Sequence, residues 1–415
     1  MKNNENNEIN FGIGFVTGRT NACKIINYYY KNILEQVSRF NKKVNITIFI
    51  LFDLNYQFAD RTDFYNILPE VYKHIQIKYI TPENIEEEKK KLISRDNMKK
   101  SDVDLFFGHG HAKGRNTLMY YAKKRNIDYL LFWDDDEYPI ANIKNEDGSI
   151  EWKSQDNILR HLEYIENSDI TIGYHCGYIS PIPYIQIGDI LTEEDFKNYI
   201  EAISNEVVSW EEIKEKMEND GGITYARREI AEGIGAYEQQ KVGITKWVVG
   251  STLCLNLRNM DQIPAFYNPP LARGEDTFFS TLLGNSKIIK VPLYHFHDGF
   301  LKYTGIMKGL RPKKLRKIKS EEENIEARFL KASKGWIKYK PLLMYITDKQ
   351  NYEKNIKDVY EKLELSIPKM NKLFNDNEFD YLLDELREYN KNVKKHYKEY
   401  LKTNEIWNML KKQEL

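Results

Sequence analysis

The chain has 415 residues, of which 41% are hydrophobic and 30% are charged. This length is sufficient for one large domain with additions or for two to three domains. Because 62 basic residues balance 62 acidic residues, the composition excludes the strongly basic field of a dedicated nucleic-acid-binding protein, and we expect no nucleic-acid partner.

The cysteines and the first residues indicate a compartment. Cys23, Cys176 and Cys254 lie far apart in the sequence, as in proteins of a reducing environment, and they form no zinc-binding pattern. The segment MKNNENNEIN contains no apolar stretch of a secretory signal, and the longest apolar runs are too short to cross a bilayer. We therefore expect a soluble cytoplasmic protein.

Strand and helix patterns alternate along the first third of the chain. FGIGFVTGRT begins as a short apolar strand that breaks at Gly18, and apolar residues at three- and four-residue spacing then predict an amphipathic helix. VNITIFILFD is a continuous apolar run, typical of a strand buried on both faces. IQIKYI and IDYLLFW predict two further strands with helical patterns between them. This alternation predicts an α/β fold in which helices flank a mostly parallel sheet.

Later segments depart from this alternation. Residues 190–242 become polar and helical, which predicts a helical insertion between core strands. KWVVGSTLCLNL and KIIKVPLYHF restore strand character. From residue 318 to residue 415 the chain is charged and helical. We therefore predict a core domain over residues 1–317 and a C-terminal helical region over residues 318–415.

Three carboxylates, Asp134, Asp135 and Asp136, follow the strand IDYLLFW. Ligands of open α/β sheets bind beyond the carboxyl ends of the strands, where this acidic cluster lies. Mg²⁺ and Mn²⁺ prefer oxygen ligands and bridge one or two carboxylates to a diphosphate. Asp134 and Asp136 face the same side if the segment is extended, so we expect them to hold such a cation. The alternative is an acidic group that only solvates a turn.

Two further motifs surround the acidic cluster in sequence: GRNTLMYYA precedes it and RGEDTFFSTLL follows it. In this order the motifs resemble those of the GT-A glycosyltransferases, and in particular glycosyltransferase family 2, over residues 10–300. In that family an Arg-Asn pair opens the helix before an Asp-x-Asp motif, and a Glu-Asp pair starts a later helix. The matching residues are Arg115, Asn116, Asp134, Asp135, Asp136, Glu275 and Asp276.

The resemblance implies a Rossmann-like GT-A fold and a metal-dependent glycosyltransferase. Asp134 and Asp136 would bind Mn²⁺ or Mg²⁺ together with the diphosphate of a nucleotide-sugar donor, for which UDP is favoured over GDP. Asp276 would remove the proton of the acceptor hydroxyl in an inverting transfer, and Glu275 would orient the acceptor or the helix. The acceptor would be a glycan, a glycoprotein or a lipid-linked glycan. A surface helix cap is the alternative role of Asp276.

Other donor contacts are expected from the TGRT turn, the second strand and the helix before the acidic cluster. Gly18 permits a close approach of the backbone, and Arg19 suits a phosphate at a helix start. By the resemblance, Asp53 would contact the base, and Arg115 would hold either the base region or the aspartates. A plain turn, a solvated strand end and helix initiation are the alternatives. The predicted donor-binding residues are Thr17, Gly18, Arg19, Asp53, Arg115, Asn116, Asp134 and Asp135.

Histidines near the end of the core suggest a further metal ligand. In YHFHDG, His295 and His297 face the same way if the strand alternates. GT-A enzymes often complete the metal shell from this region, and we favour His297 because the strand opens next to it; two packed strand histidines are the alternative. His109 and His111 have a spacing that suits a transition metal, but the resemblance includes no such pattern, so we predict loop residues.

Residues 302–319 are rich in lysine and arginine and contain no acid. Such a run predicts a lid over the diphosphate or a peripheral contact with anionic lipid headgroups at the inner face of the membrane. A solvated basic face is the common alternative. The helical regions would select the acceptor or mediate oligomerisation.

Three other function classes stay open. A metal-dependent phosphoesterase or nucleotide-sugar hydrolase would also use GHGH, DDDE and HFHDG, although the early Asp-x-His and Gly-Asp motifs of metallophosphoesterases are missing. A retaining GT-A transferase would give Asp276 another role. A scaffold protein without catalysis would not bind UDP or GDP with Mn²⁺.

Overall fold

The computed structural model describes residues 8–54, 60–178, 181–204 and 209–413. The strands are β1 Glu8–Thr17, β2 Lys43–Phe52, β3 Gln76–Ile80, β4 Tyr129–Phe132, β5 Glu137–Tyr138, β6 Ile140–Lys144, β7 Ile150–Ser154, β8 Ile170–Tyr178, β9 Ile223–Thr224, β10 Tyr237–Glu238, β11 Leu253–Asn256 and β12 Ile288–His297. The α-helices are α1 Asn21–Ser38, α2 Pro69–Tyr72, α3 Pro82–Arg95, α4 Lys100–Phe106, α5 His111–Lys123, α6 Asn157–Ile165, α7 Glu193–Ile203, α8 Trp210–Asp220, α9 Arg228–Ala231, α10 Glu275–Ser280, α11 Ile325–Thr347, α12 Tyr352–Phe374, α13 Tyr381–Lys391 and α14 Val393–Lys412.

The main sheet has the order β10-β12-β8-β11-β4-β1-β2-β3 within the described residues. Strands β1 to β4 are parallel to one another, and β12 is parallel to β8, whereas β11 is antiparallel to both β4 and β8. The chain builds outward from β1 to β3 and then returns to the other side of β1 with β4. This reversal is a topological switch point, where open α/β sheets bind ligands. The predicted α/β fold with a mostly parallel sheet and flanking helices is confirmed.

Alternating side chains of the strands supply a core on each face of the sheet. Phe11, Ile13 and Phe15 of β1 pack on one face with α1 and α6. On the other face, Phe49 and Leu51 of β2 pack with α3, α4, α5 and α14. Both faces are therefore buried, which explains why these strands are continuous apolar runs in the sequence.

Gly114 fixes the distance between α5 and the sheet. A Cβ at this position would lie 2.4 Å from Cγ1 of Val16 in β1, so any larger residue would force the helix away from the strand. The close packing brings the first turns of α5 to the switch point. Gly114 therefore sets how closely α5 approaches the sheet, and so sets the position from which Arg115 reaches the site.

The helices of the predicted insertion and of the C-terminal region share one hydrophobic core. Phe196 and Tyr199 of α7 pack with Phe329 of α11, Leu363 of α12 and Phe379. The two regions are far apart in sequence, and each covers the apolar face of the other.

The last helix also joins the core of the sheet. The indole of Trp407 in α14 stacks on Phe106 with 5.7 Å between ring centroids, and its Nε1 donates a hydrogen bond to the carbonyl of Ile263. In the described part of the chain, no helix combines the length and the apolar character needed to cross a membrane.

Candidate functional site

The acidic cluster lies at the switch point, directly beyond β4. The Thr17 hydroxyl, at the end of β1, donates a hydrogen bond to Asp135. The Arg19 guanidinium spans two carboxylates, with Nη2 at 2.7 Å from Oδ1 of Asp135 and at 3.1 Å from Oδ2 of Asp136. The side chains of Asp135 and Asp136 are buried, whereas that of Asp134 is 41% exposed. Residues predicted to bind the sugar donor thus lie together where β1 and β4 end.

The neighbouring arginines do not fully compensate the negative charge of this cluster. Burial raises the pKa of Asp134 to about 7, and the carboxylates of Glu137 and Asp136 add to this effect while Arg115 opposes it. Burial likewise raises the pKa of Asp135 to about 6 against the effect of Arg19. Each raised pKa means that negative charge is disfavoured here, so an added cation would be attracted to the cluster.

Arg115 connects the acidic cluster with the Glu-Asp pair at the start of α10. Its Nη2 lies 3.3 Å from Oδ1 of Asp134, its Nε lies 3.3 Å from Oε1 of Glu275, and its Nη1 donates a 2.6 Å hydrogen bond to the carbonyl of Gly250. The guanidinium also lies over the ring of Phe132, 4.7 Å from the centroid. Because Arg115 is almost fully buried, it fixes the separation of the two acidic regions.

Asp276 is held by backbone amides. Its Oδ2 accepts a hydrogen bond from the N–H of Gly250 at 3.1 Å, and its Oδ1 accepts one from the N–H of Thr277 at 2.8 Å. A Cβ on Gly250 would lie 2.8 Å from Nη2 of Arg115, so a larger residue here would displace the guanidinium. Burial and the neighbouring charge of Glu275 raise the pKa of Asp276 to about 6.

Glu275 behaves differently although it is adjacent in sequence. Burial alone would raise the pKa of this carboxyl, but His111 and Arg115 lower it below its ordinary value. His111, which we predicted to be a loop residue, is the first residue of α5 and lies within electrostatic range of the Glu-Asp pair. Glu275 is therefore paired with the Arg115 guanidinium, whereas Asp276 is held by backbone amides.

The sequence predicted His295 to be a metal ligand or a packed strand histidine, but it did not reveal the polar group next to the acidic cluster in which this histidine lies. Oε1 of Glu137 accepts a 2.6 Å hydrogen bond from the Ser251 hydroxyl, and Oε2 lies 3.2 Å from Nε2 of His175 and 3.3 Å from Nδ1 of His295. The two histidines are register partners on β8 and β12. Histidines inside two otherwise apolar strands were the signal that could have revealed this group.

His297 lies at the end of β12, beside the acidic cluster. The backbone N–H of Asp298 donates a hydrogen bond to the carbonyl of Asp136 at 3.1 Å. The imidazole of His297 uses Nδ1 in a 2.9 Å hydrogen bond to the carbonyl of Tyr178, which leaves Nε2 as the nitrogen for a ligand. His297 is thus near the cluster through its backbone, and its ring is held by β8.

The remaining predicted donor residues lie in different surroundings. Gly18 belongs to the turn between β1 and α1, and Asp53 follows β2 at the same edge of the sheet, where its N–H donates to the carbonyl of Thr17. Asn116 does not join them, because its amide group makes two hydrogen bonds with the backbone of Phe266. Asn116 therefore fixes the loop before α10.

Residues 302–319 are partly buried against the domain. Arg316 pairs with Glu322 at 2.9 Å, and the indole Nε1 of Trp152 donates a 2.7 Å hydrogen bond to the carbonyl of Pro312. Ile306 and Ile318 are buried. The segment is therefore folded onto the sheet, and its exposed lysines form its outer surface.

Within the residues that the structure describes, no group of three or more His, Cys, Asp or Glu side chains could hold a metal ion. A cation bound with a nucleotide takes several ligands from phosphate and water and needs only one or two carboxylates. Asp134 and Asp136 fit this smaller requirement, because they are hard oxygen donors at the switch point.

The sequence matches no protein-family model, and its comparison with curated proteins gives no significant match. The geometry and charge of this site are therefore the features that indicate a function.

Proposed function

We propose that the chain is a metal-dependent GT-A glycosyltransferase that moves a sugar from a nucleotide-diphosphate donor to a hydroxyl group of a glycan, glycoprotein or lipid-linked acceptor. The observation that carries the proposal is the pair of contacts made by Arg115. One side chain joins a carboxylate of the acidic cluster to the Glu-Asp pair of α10. Sugar transfer needs these two functions, departure of the nucleotide and activation of the acceptor, at a fixed separation.

The acidic cluster would serve the donor. Asp134 and Asp136 would hold Mn²⁺ or Mg²⁺, which when bound neutralises the diphosphate of the departing nucleotide. Arg19 already bridges two carboxylates, and its planar fork suits a phosphate equally well. UDP is the favoured nucleotide, and Asp53 lies at the same edge of the sheet, where the base would bind.

Asp276 would serve the acceptor as general base in an inverting transfer. Two backbone N–H groups fix its carboxylate, and its side chain is partly exposed. With a pKa of about 6, it is ionised at neutral pH and is a stronger base than an ordinary aspartate. Glu275 would keep Arg115 and the start of α10 in position.

Replacement of Asp276 by asparagine tests this proposal. We expect donor hydrolysis and transfer to fall by about a thousandfold, because loss of a general base costs roughly 10²–10⁴ in rate. The affinity for UDP with Mn²⁺, measured by isothermal titration calorimetry, should stay unchanged. Asp261→Asn, at an exposed position, is the matched control.

Two results would contradict the proposal. Retained turnover in Asp276→Asn would remove this residue from the reaction. Absence of metal-dependent binding of UDP and GDP to the unmodified protein would remove the glycosyltransferase assignment itself.

A further inference from the structure

One histidine of the polar group beside the acidic cluster is partly exposed. Glu137 and His295 are buried, whereas the side chain of His175 is 25% exposed. Nε2 of His175 contacts both Glu137 and the Ser251 hydroxyl, the latter at 3.0 Å. Within the described part of the chain, Nδ1 makes no hydrogen bond. The imidazole is therefore held through one nitrogen, and the other is directed away from its two partners.

His175 contacts a neighbour of each acidic region, and on the side of the acidic cluster this neighbour is Glu137, which directly follows Asp136. The other neighbour, Ser251, directly follows Gly250, whose N–H binds the carboxylate of Asp276. Burial lowers the pKa of His175, but Glu137 and, more weakly, Asp134 raise it above its ordinary value, which means that Asp134 is within electrostatic range. In an inverting transfer, the sugar lies between the diphosphate and the base. A side chain that contacts a neighbour of each acidic region is therefore placed to meet the sugar.

We infer that His175 binds the sugar that is transferred from the donor, and that its Nδ1 forms a hydrogen bond with a hydroxyl group of that sugar. The inference rests on the proposed function and adds to it a residue that distinguishes the sugar from the nucleotide. Glu137 and Ser251 fix the orientation of the ring before binding, so the contact costs little side-chain entropy. His175 is also suited to select among sugars that differ in the configuration of one hydroxyl group. A sugar with the other configuration would leave Nδ1 without its hydrogen-bond partner.

Two amide variants separate the two nitrogens. In His175→Gln, the amide reaches the position of Nε2 and keeps the contact with Glu137, but it lacks the group at Nδ1. In His175→Asn, the amide occupies the position of Nδ1 and loses the contact with Glu137. The probes are UDP, UDP-glucose, UDP-galactose and UDP-N-acetylglucosamine with Mn²⁺, measured by isothermal titration calorimetry. His74→Gln, at an exposed position far along the chain from the site, is the control.

We expect the unmodified protein to bind at least one of the three UDP-sugars more tightly than UDP. His175→Gln should bind that UDP-sugar about tenfold more weakly, as expected for one lost hydrogen bond with a buried polar partner, and should bind UDP unchanged. His175→Asn should restore part of the loss. A UDP affinity that is unchanged shows that the variant is folded.

The inference would be overturned by His175→Gln binding the UDP-sugar as tightly as the unmodified protein does, or by equal losses for UDP and the UDP-sugar. No preference of the unmodified protein for any UDP-sugar over UDP would also overturn it. Absence of both UDP and GDP binding in the unmodified protein is a different result, because it contradicts the proposed function as a whole.

Discussion

The acidic run DDDE after β4 and the Glu-Asp pair at the start of α10 come from distant parts of the chain, yet they are built alike. In each, the glutamate is paired and buried. Burial alone would raise the pKa of Glu137, but His175 and His295 lower it well below its ordinary value. The same holds for Glu275, where His111 and Arg115 outweigh burial.

Three aspartates near these glutamates, Asp134, Asp135 and Asp276, show the opposite behaviour. Burial raises the pKa of Asp134 to about 7 and that of Asp135 and Asp276 to about 6. A carboxylate with a lowered pKa has its partners within the fold, whereas one with a raised pKa has a negative charge that a ligand can still stabilise. Under the proposed function, the glutamates hold the site together and the aspartates act on substrates.

The largest expected effect is on stability, at Glu137. Its replacement by alanine leaves two histidines and Ser251 without their shared acceptor, and removal of one member of a buried charged pair costs about 3–5 kcal/mol. We expect the free energy of unfolding, measured in urea, to fall by that amount. Asp134→Ala is the matched control and should lower it by less, because the raised pKa of Asp134 means that its negative charge is disfavoured in the folded protein. Equal losses in the two variants would remove the distinction between the two kinds of carboxylate.

The sequence predicted the framework of this site because periodicity carries that information. Alternating strand and helix patterns led to a parallel sheet, and a buried strand that ends in three aspartates predicted their place at its carboxyl edge. The helices within residues 190–242 and 318–415 were also predicted, but their common core was not. An amphipathic pattern shows that a helix has an apolar face and does not name the partner of that face.

The different roles of the aspartates and Glu137 within DDDE could not be predicted from the sequence for a related reason. Glu137 belongs to the two-residue strand β5, which pairs with the end of β12. Strands of this length leave no periodicity to detect. The position of Arg115 likewise depends on the depth of α5, which is set by a single glycine contact with Val16. Contacts of this kind join residues that are far apart in sequence, so local patterns could not predict them.

A smaller effect on stability is expected at Glu275. Glu275→Gln removes a charged partner of Arg115, and hydrogen bonds to charged groups contribute about 1.5–3 kcal/mol. Asp276→Asn makes the same chemical change one residue later and should leave the free energy of unfolding unchanged or raise it at pH 7. Because the pKa of Glu275 is lowered, its contribution should be present at neutral pH and lost under acid conditions. Urea unfolding of both variants at pH 7 measures the difference, and a larger loss in Asp276→Asn would contradict it.

The smallest effect is the dependence of turnover on pH. Asp276 must be ionised to accept a proton. Among the charged groups that face it, Glu275 raises its pKa and Arg115 lowers it. With a pKa of about 6, about nine-tenths of this carboxyl is protonated at pH 5, so the rate of donor hydrolysis at saturating UDP-sugar should be about tenfold lower than at pH 7. The stability contribution has the matching sign: because the folded carboxyl binds its proton more tightly than the unfolded one, the free energy of unfolding falls as pH rises from about 4 to about 6. The residual hydrolysis of Asp276→Asn should lack this step, and a step that persists in that variant would assign the titration to another group.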